Sequence, residues 1–128
     1  MENNTNTNLK WVAVAILVVA VIVGVVLLLT KQTSSKYKNL DAFAQCLTEK
    51  SAVMYGAYWC SHCKAQKAEF GDSFKYINYV ECTDKPDECT AAGITGYPTW
   101  RIASTTLEGE QPLEKLAGKA GCMLEKNL

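Results

Sequence analysis

The sequence predicts an α/β domain, a mixed sheet with helices on both faces, preceded by a single N-terminal transmembrane helix. Three observations carry this reading. Residues 11–29 form an uncharged apolar run, helical and strand-type segments alternate from residue 40 onward, and a Cys-x-x-Cys motif stands where a strand gives way to a helix. The expected organisation is a polar tail over residues 1–10, a signal anchor over 11–29, a tether over 30–38 and a folded domain over 39–128.

The apolar run reads WVAVAILVVAVIVGVVLLL. As a helix it spans about 28 Å, close to the thickness of a bilayer core. A core helix of so small a domain would show a polar face, and this segment shows none. The TKQTSSK that follows offers no Ala-x-Ala cleavage site, so an uncleaved anchor is expected rather than a removed signal peptide. Lys10 and the α-amine precede the span, whereas Lys31, Lys36 and Lys38 follow it. The positive-inside rule thus leans by one charge towards a cytoplasmic domain. The density of cysteine points the other way, and the expected location is the cell membrane with the domain outside the cytoplasm. The Ser-, Thr- and Lys-rich tether needs no structure of its own.

Within the domain, Leu40, Phe43, Ala44 and Leu47 share the spacing of one helix face, which predicts a helix over residues 40–50. The apolar, aromatic AVMYGAYW of residues 52–59 predicts a strand buried on both faces. A helix is expected from Cys60 to about Phe74, and a strand over NYVEC at 78–82. A short helix over 87–92 ends at Gly93, and strands follow at 99–103 and 105–108. Pro112 suits the first turn of a last helix over 113–122, because its missing N–H costs nothing there. Tyr55, Tyr58, Phe70, Phe74 and Trp100 are expected to pack, and Lys64 and Lys67 to face solvent.

Lys plus Arg and Asp plus Glu number 13 each, so the net charge is zero, and no basic patch is interleaved with aromatics. Nucleic-acid binding is therefore not expected. Six cysteines in 128 residues is heavy usage. It fits redox catalysis or metal binding in a reducing compartment, and structural disulfides in an oxidising one.

Cys60-Ser61-His62-Cys63 carries the chemistry. A strand delivers Cys60 to a helix N-terminus, where unpaired N–H groups and the helix dipole stabilise a thiolate. Cys63 lies one turn on, close enough to resolve a mixed disulfide. His62 can add positive charge or a hydrogen bond, which makes the disulfide form more oxidising. The competing reading is a structural zinc site completed by Cys82 and Cys89 or by His62. Zinc ribbons prefer two close Cys-x-x-Cys knuckles, and the Cys82–Cys89 spacing is too wide for one. No metal or other cofactor is expected beyond the Cys60–Cys63 disulfide itself. Cys82 and Cys89 flank the turn TDKPDE and are expected to form a structural disulfide, with free thiols or an electron relay as alternatives.

Trp59-Cys60-x-x-Cys63, followed by Gly93-Ile94-Thr95-Gly96-Tyr97-Pro98-Thr99, resembles the thioredoxin superfamily from about residue 40 to residue 122. FAQCLTEKSAVMYGAYWCSHC with GYPTW looks closer still to the thioredoxin-like domains associated with bacterial vitamin K epoxide reductase homologues, which in some chains are fused to that membrane enzyme. The resemblance implies a thioredoxin-like sheet with Cys60 as exposed nucleophile, Cys63 as buried resolving thiol, and a cis Tyr97–Pro98 peptide packed against them. It also implies that Trp59, Tyr97 and Thr99 meet the substrate, an extended protein segment. In a thioredoxin-like layout the helices carrying Cys46 and Cys122 cover opposite faces, so direct pairing needs the chain end to wrap around an edge, and these two cysteines stay unassigned with a pair left open. Thioredoxins bear a buried Asp six residues before the first active cysteine, and here Met54 stands there. The proton acceptor for the resolving thiol is then missing or supplied otherwise, by water or Glu69.

The expected function is a membrane-anchored thiol–disulfide oxidoreductase acting on protein thiols. It would serve as oxidase or electron shuttle to a separate membrane partner of vitamin K epoxide reductase type. The alternatives are a disulfide reductase or isomerase, or a non-enzymatic tethered binding module stabilised by zinc or disulfides.

Overall fold

The computed structural model describes the backbone of residues 5–29 and 36–127 and the side chains of 9–27 and 36–127. Residues 1–4 and 30–35 lie outside the described residues, and with them the start of the polar tail and most of the expected tether. Two compact units are present, residues 1–34 and 35–128. The first contains one helix, α1 (Thr5–Leu29). Its stretch Leu9–Leu27 has mean hydropathy 2.8 and is long and apolar enough to cross a membrane. The helix starts within the polar tail, because backbone hydrogen bonding carries a helix past the residues whose hydropathy defines a span.

The second unit holds a four-stranded sheet and a two-stranded ribbon. Its elements are β1 (Tyr37–Lys38), α2 (Leu40–Glu49), β2 (Val53–Gly56), α3 (Ser61–Phe70), β3 (Asn78–Glu81), α4 (Pro86–Ala91), β4 (Thr99–Ile102), β5 (Thr105–Glu108), α5 (Leu113–Ala120) and β6 (Glu125–Lys126). The sheet order is β3-β2-β4-β5, parallel between β2 and β3 and antiparallel elsewhere. The mixed sheet is as expected. β1 and β6 were not: Tyr37 and Lys38, assigned to the tether, pair antiparallel with Lys126 and Glu125. Strands of two residues carry no periodicity, so only the tertiary fold reveals them. The helix expected from Cys60 to Phe74 divides at Gly71, whose φ of +53° ends α3, and a 3-10 segment, Gly71–Tyr76, follows.

Alternation along the strands sorts side chains onto two faces. Met54, Trp100 and Ile102 pack on one face with Phe43, Ala44 and Leu47 of α2, Cys63 and Phe70 of α3, and Leu113 and Leu116 of α5. Phe43 stacks on Phe70 at 5.9 Å between ring centroids, and Phe70 leans on Trp100 at the same separation. Each such side chain contributes about 2–3 kcal/mol by leaving water. The opposite face is smaller: Val53, Tyr55 and Val80 meet Cys82, Cys89 and Ile94, with α4 as cover.

One expectation is corrected here. α2 and α5 do not cover opposite faces; both pack on the Met54–Trp100 face, and Cys46 and Cys122 are joined by a disulfide. Phe43, Phe70 and Trp100 gather on that face, which three helices cover, whereas the other is closed by one short helix. The Cys46–Cys122 bond spans 76 residues of sequence. Closing so long a loop stabilises by about 4 kcal/mol in the chain-entropy picture.

Gln66 on α3 locks this side together. It is fully buried, and its Oε1 accepts from Trp100 Nε1 at 3.1 Å and from the Gln111 N–H at 2.7 Å. Its Nε2 donates to Gln111 O at 3.0 Å and to Glu69 Oε2 at 2.9 Å. A polar residue amid core aromatics is tolerated because each of its bonding positions is used.

Candidate active site

The site grows from the end of β2. Cys60 N–H donates to Ala57 O at 3.0 Å, and Lys64 N–H donates to Cys60 O at 3.1 Å, so Cys60 closes a turn and opens α3 at once. It is the N-cap residue, in extended conformation, and its Sγ accepts the Cys63 N–H at 3.1 Å. A serine or aspartate oxygen ordinarily fills that role. Here a sulfur fills it, so negative charge on Cys60 meets an N–H donor and the positive end of the helix.

Cys60 and Cys63 are bonded to each other. Cys60 is 6 % exposed and Cys63 1 %. Cys60 is thus the more accessible of the two, although both are buried. Gly56 is needed beneath them: a Cβ there would stand 3.0 Å from Cys63 Sγ and 3.0 Å from Tyr79 Oη. Tyr58 and Trp59 are 68 % and 60 % exposed, and Trp59 meets Tyr97 edge-on at 6.0 Å. Tyr58 was expected in the core. A turn of Ala57-Tyr58-Trp59 leaves it outside, and its backbone N–H donates to Glu81 Oε1 at 3.1 Å. The Tyr97–Pro98 peptide is cis, and Pro98 is buried.

Two other site residues stand differently from the expectation. The His62 side chain is 72 % exposed, and its Nδ1 is paired with Glu110 Oε2 at 3.2 Å, ahead of α5, rather than with a cysteine sulfur. Thr99 is buried at 2 %, and its hydroxyl donates to Gly96 O at 2.8 Å, so it shapes the proline loop from within. Cys82 and Cys89 are bonded and buried on the smaller face. Glu69 is hydrogen-bonded by Gln66; burial, then the Glu110 and Glu114 carboxylates, hold its carboxyl above the ordinary range. Lys67, expected in solvent, lies 3.6 Å over the Tyr79 ring, and burial lowers its ammonium below the usual lysine range. Among the described residues no group of three or more His, Cys, Asp or Glu side chains is arranged to hold a metal.

A profile of the thioredoxin family matches residues 33–121. The chain belongs to that family. Among its relatives, the thiol-disulfide oxidoreductase LTO1 of Arabidopsis thaliana is 41 % identical over 106 residues, covering 76 % of this chain and 28 % of that protein. The protein disulfide isomerase-like 2-1 of Oryza sativa subsp. japonica is 33 % identical over 106 residues, covering 72 % and 27 %. The chain thus spans little more than a quarter of the length of these curated relatives. A solved structure, oxidized mitochondrial thioredoxin 3 of Saccharomyces cerevisiae, aligns with 55 % of this chain and 76 % of its own at 17 % identity and a TM-score of 0.40. The Cys60–Cys63 disulfide at the helix N-terminus lies within the matched thioredoxin-family region.

The sequence pointed to Cys60, Cys63, Trp59 and Tyr97, which the fold does bring together. It gave no sign of Tyr58, Gln66, Tyr79 or Glu81. A lone tyrosine or glutamate on a strand reads as packing or surface, and only the register of β2 against β3 reveals which group it faces.

Proposed function

We propose that this chain is a membrane-anchored protein that exchanges disulfides with protein thiols through Cys60 and Cys63. It acts as an oxidase or electron shuttle towards a membrane partner of vitamin K epoxide reductase type. The observation that carries the exchange is the Cys60 sulfur capping α3, on the Cys63 N–H, beside the exposed Tyr58 and Trp59. A substrate thiolate attacks Cys60 Sγ, the Cys60–Cys63 bond breaks, and Cys63 leaves with the electron pair and takes up a proton. A second substrate thiolate then displaces Cys60 from the mixed disulfide. The substrate gains a disulfide, the pair gains two electrons and two protons, and the reverse sequence hands them to the partner. Trp59 and Tyr97 offer an apolar rim on which an extended segment can lie.

The anchor is supported by the apolar helix over Leu9–Leu27, and an oxidising side of the membrane by the Cys46–Cys122 and Cys82–Cys89 bonds. The oxidising direction is supported by the fully buried thioether of Met54, where thioredoxins carry an acid. The partner class rests on the sequence resemblance. The relatives named as isomerases support a second reading, disulfide isomerisation at the same cysteines.

Two measurements test the proposal. A Cys63→Ala chain should accumulate mixed disulfides with protein partners, seen by mass spectrometry after acid trapping, and the absence of any Cys60-linked adduct removes the exchange mechanism. The Cys60–Cys63 reduction potential should lie towards the about −120 mV of strong oxidants; a value near thioredoxin's, about −270 mV, turns the assignment to a reductase.

A further inference from the structure

Exchange at Cys60 and Cys63 obliges Cys63 to lose or gain a proton in every cycle, yet its side chain is 1 % exposed. Met54, on the strand beneath it, offers no titratable group. A polar side chain reaches towards it from β3 instead. The Gly56 Cβ position lies 3.0 Å from Cys63 Sγ and 3.0 Å from Tyr79 Oη, so at most twice that distance separates sulfur from phenol oxygen. Tyr79 is the register partner of Met54 and so shares its face of the sheet, under α3. Its phenol donates to Glu81 Oε2 at 2.8 Å. The other oxygen of Glu81 accepts from the Tyr58 N–H at 3.1 Å and from Thr83 Oγ1 at 2.7 Å. Glu81 is half-buried, so the row of groups runs from a buried sulfur to solvent.

We propose that Tyr79 and Glu81 form a proton relay serving Cys63, an inference that rests on the exchange reading above. When Cys63 attacks the mixed disulfide, its thiol proton passes to Tyr79 Oη, directly or through one water. The Tyr79 proton passes to the Glu81 carboxylate, which gives it up to bulk water. When Cys63 departs as a thiolate, the same path runs inward. One proton enters the path for each that leaves, Tyr79 ends as it began, and the electron pair stays on sulfur throughout.

The surroundings suit these roles. Lys67 from α3 lies over the Tyr79 ring, and Phe74 meets it edge-on at 5.7 Å. Burial first, then Glu81 and Asp84, hold the Tyr79 phenol well above the usual range, so it passes protons on without being left as phenolate. Burial works against the charge on Glu81, but hydrogen bonds from Thr83, Tyr79 and the Tyr58 N–H outweigh it and hold the carboxyl below its ordinary range. The terminal acceptor is thus ionised at neutral pH and releases its proton readily.

The test uses the full chain in detergent, reduced at Cys60 and Cys63, mixed rapidly with the aromatic disulfide 5,5′-dithiobis(2-nitrobenzoate). A first thiolate is released as Cys60 attacks and a second as Cys63 resolves. Tyr79→Phe and Glu81→Gln should leave the first phase unchanged and slow the second roughly tenfold or more at neutral pH, with the rate returning as hydroxide takes over at high pH. The amide that replaces the Glu81 carboxylate can still accept from Tyr58 and Thr83 but cannot take a proton, so a purely structural role for Glu81 predicts no slowing. A second phase within about twofold of the parent in Glu81→Gln, with its pH profile unmoved, overturns the relay while leaving exchange intact. Loss of the first phase in the unsubstituted chain overturns the exchange reading and the relay with it.

Discussion

Two turns at the same end of the sheet use the same ingredients to different effect. β2 and β3 lie parallel, and each runs into a turn in which a cysteine is bonded to a second cysteine on the following helix. The turns touch: the Cys82 N–H donates to Gly56 O at 2.8 Å. In the first, Cys60 caps a ten-residue helix and its sulfur receives an N–H, with two exposed aromatics alongside. In the second, Cys82 stands ahead of a six-residue helix whose N-cap, Lys85, makes no side-chain cap bond, and the sulfurs are packed against Val80, Ile94 and Tyr97. A thiolate released at Cys60 finds a donor; one released at Cys82 would be stranded among apolar groups. What separates the two pairs is the surroundings of the departing sulfur, and on the proposed function that difference assigns exchange to the first and stapling to the second.

The widest break in the comparison comes from removing each sulfur in turn. Cys60→Ser should bring thiol exchange to background. Cys82→Ser with Cys89→Ser should leave exchange of Cys60 and Cys63 intact and cost about 2 kcal/mol of stability for a loop of 7 residues in sequence separation. Insulin reduction and urea unfolding read the two effects, and exchange lost in the double variant would mean that the second turn is more than a staple.

The helices behind the turns differ in the same sense, and the next effect sharpens that. Gln66→Leu removes four hydrogen bonds around a buried core position and leaves the Trp100 Nε1–H and Gln111 N–H unpaired. It should cost about 3 kcal/mol and loosen α3. Thr90→Val on α4 loses a single bond to Pro86 O, at 2.9 Å on an exposed face, and should cost less than about 1 kcal/mol. Equal losses in urea unfolding would deny that α3 is the more firmly held helix.

The smallest effect lies away from both turns and serves as their control. The hydroxyl of Tyr37 and the ammonium of Lys36 both bond the Glu114 carboxylate. The Tyr37 bond first, then the residue's own backbone N–H and Lys36, hold that carboxyl down to about 2. Because its folded value lies below its unfolded one, the contact stabilises fully above the ordinary carboxylate range and its contribution is lost as pH falls towards about 2. The Tm gap between the parent and Glu114→Gln should therefore be small at about pH 6 and vanish in acid, whereas exchange at Cys60 should not respond to this substitution.

Much of this could be read along the chain. The period of α2, the proline ahead of α5, the apolar strand before Cys60 and the Gly-Tyr-Pro-Thr segment each reflect a local demand, and local demands leave local patterns. They gave the α/β class, the order of elements and the Cys-x-x-Cys pair at a helix start. The apolar run of residues 11–29 is legible for the same reason, since a helix apolar all round writes that character into its own contiguous sequence.

Other features depend on which strand lies beside which. The β1–β6 ribbon, the shared face of α2 and α5 with its Cys46–Cys122 bond, the outward Tyr58 and the pairing of His62 with Glu110 join residues far apart in sequence. Tyr79 and Cys63 both border Gly56, because the register sets Tyr79 beside Met54 and Gly56 has no side chain to stand between them. Composition and spacing thus decided that a Cys-x-x-Cys pair would stand at a helix start and where in the chain it would be. Its neighbours were decided by the tertiary fold, because long-range register and packing direction are properties of the assembled sheet and not of any one segment.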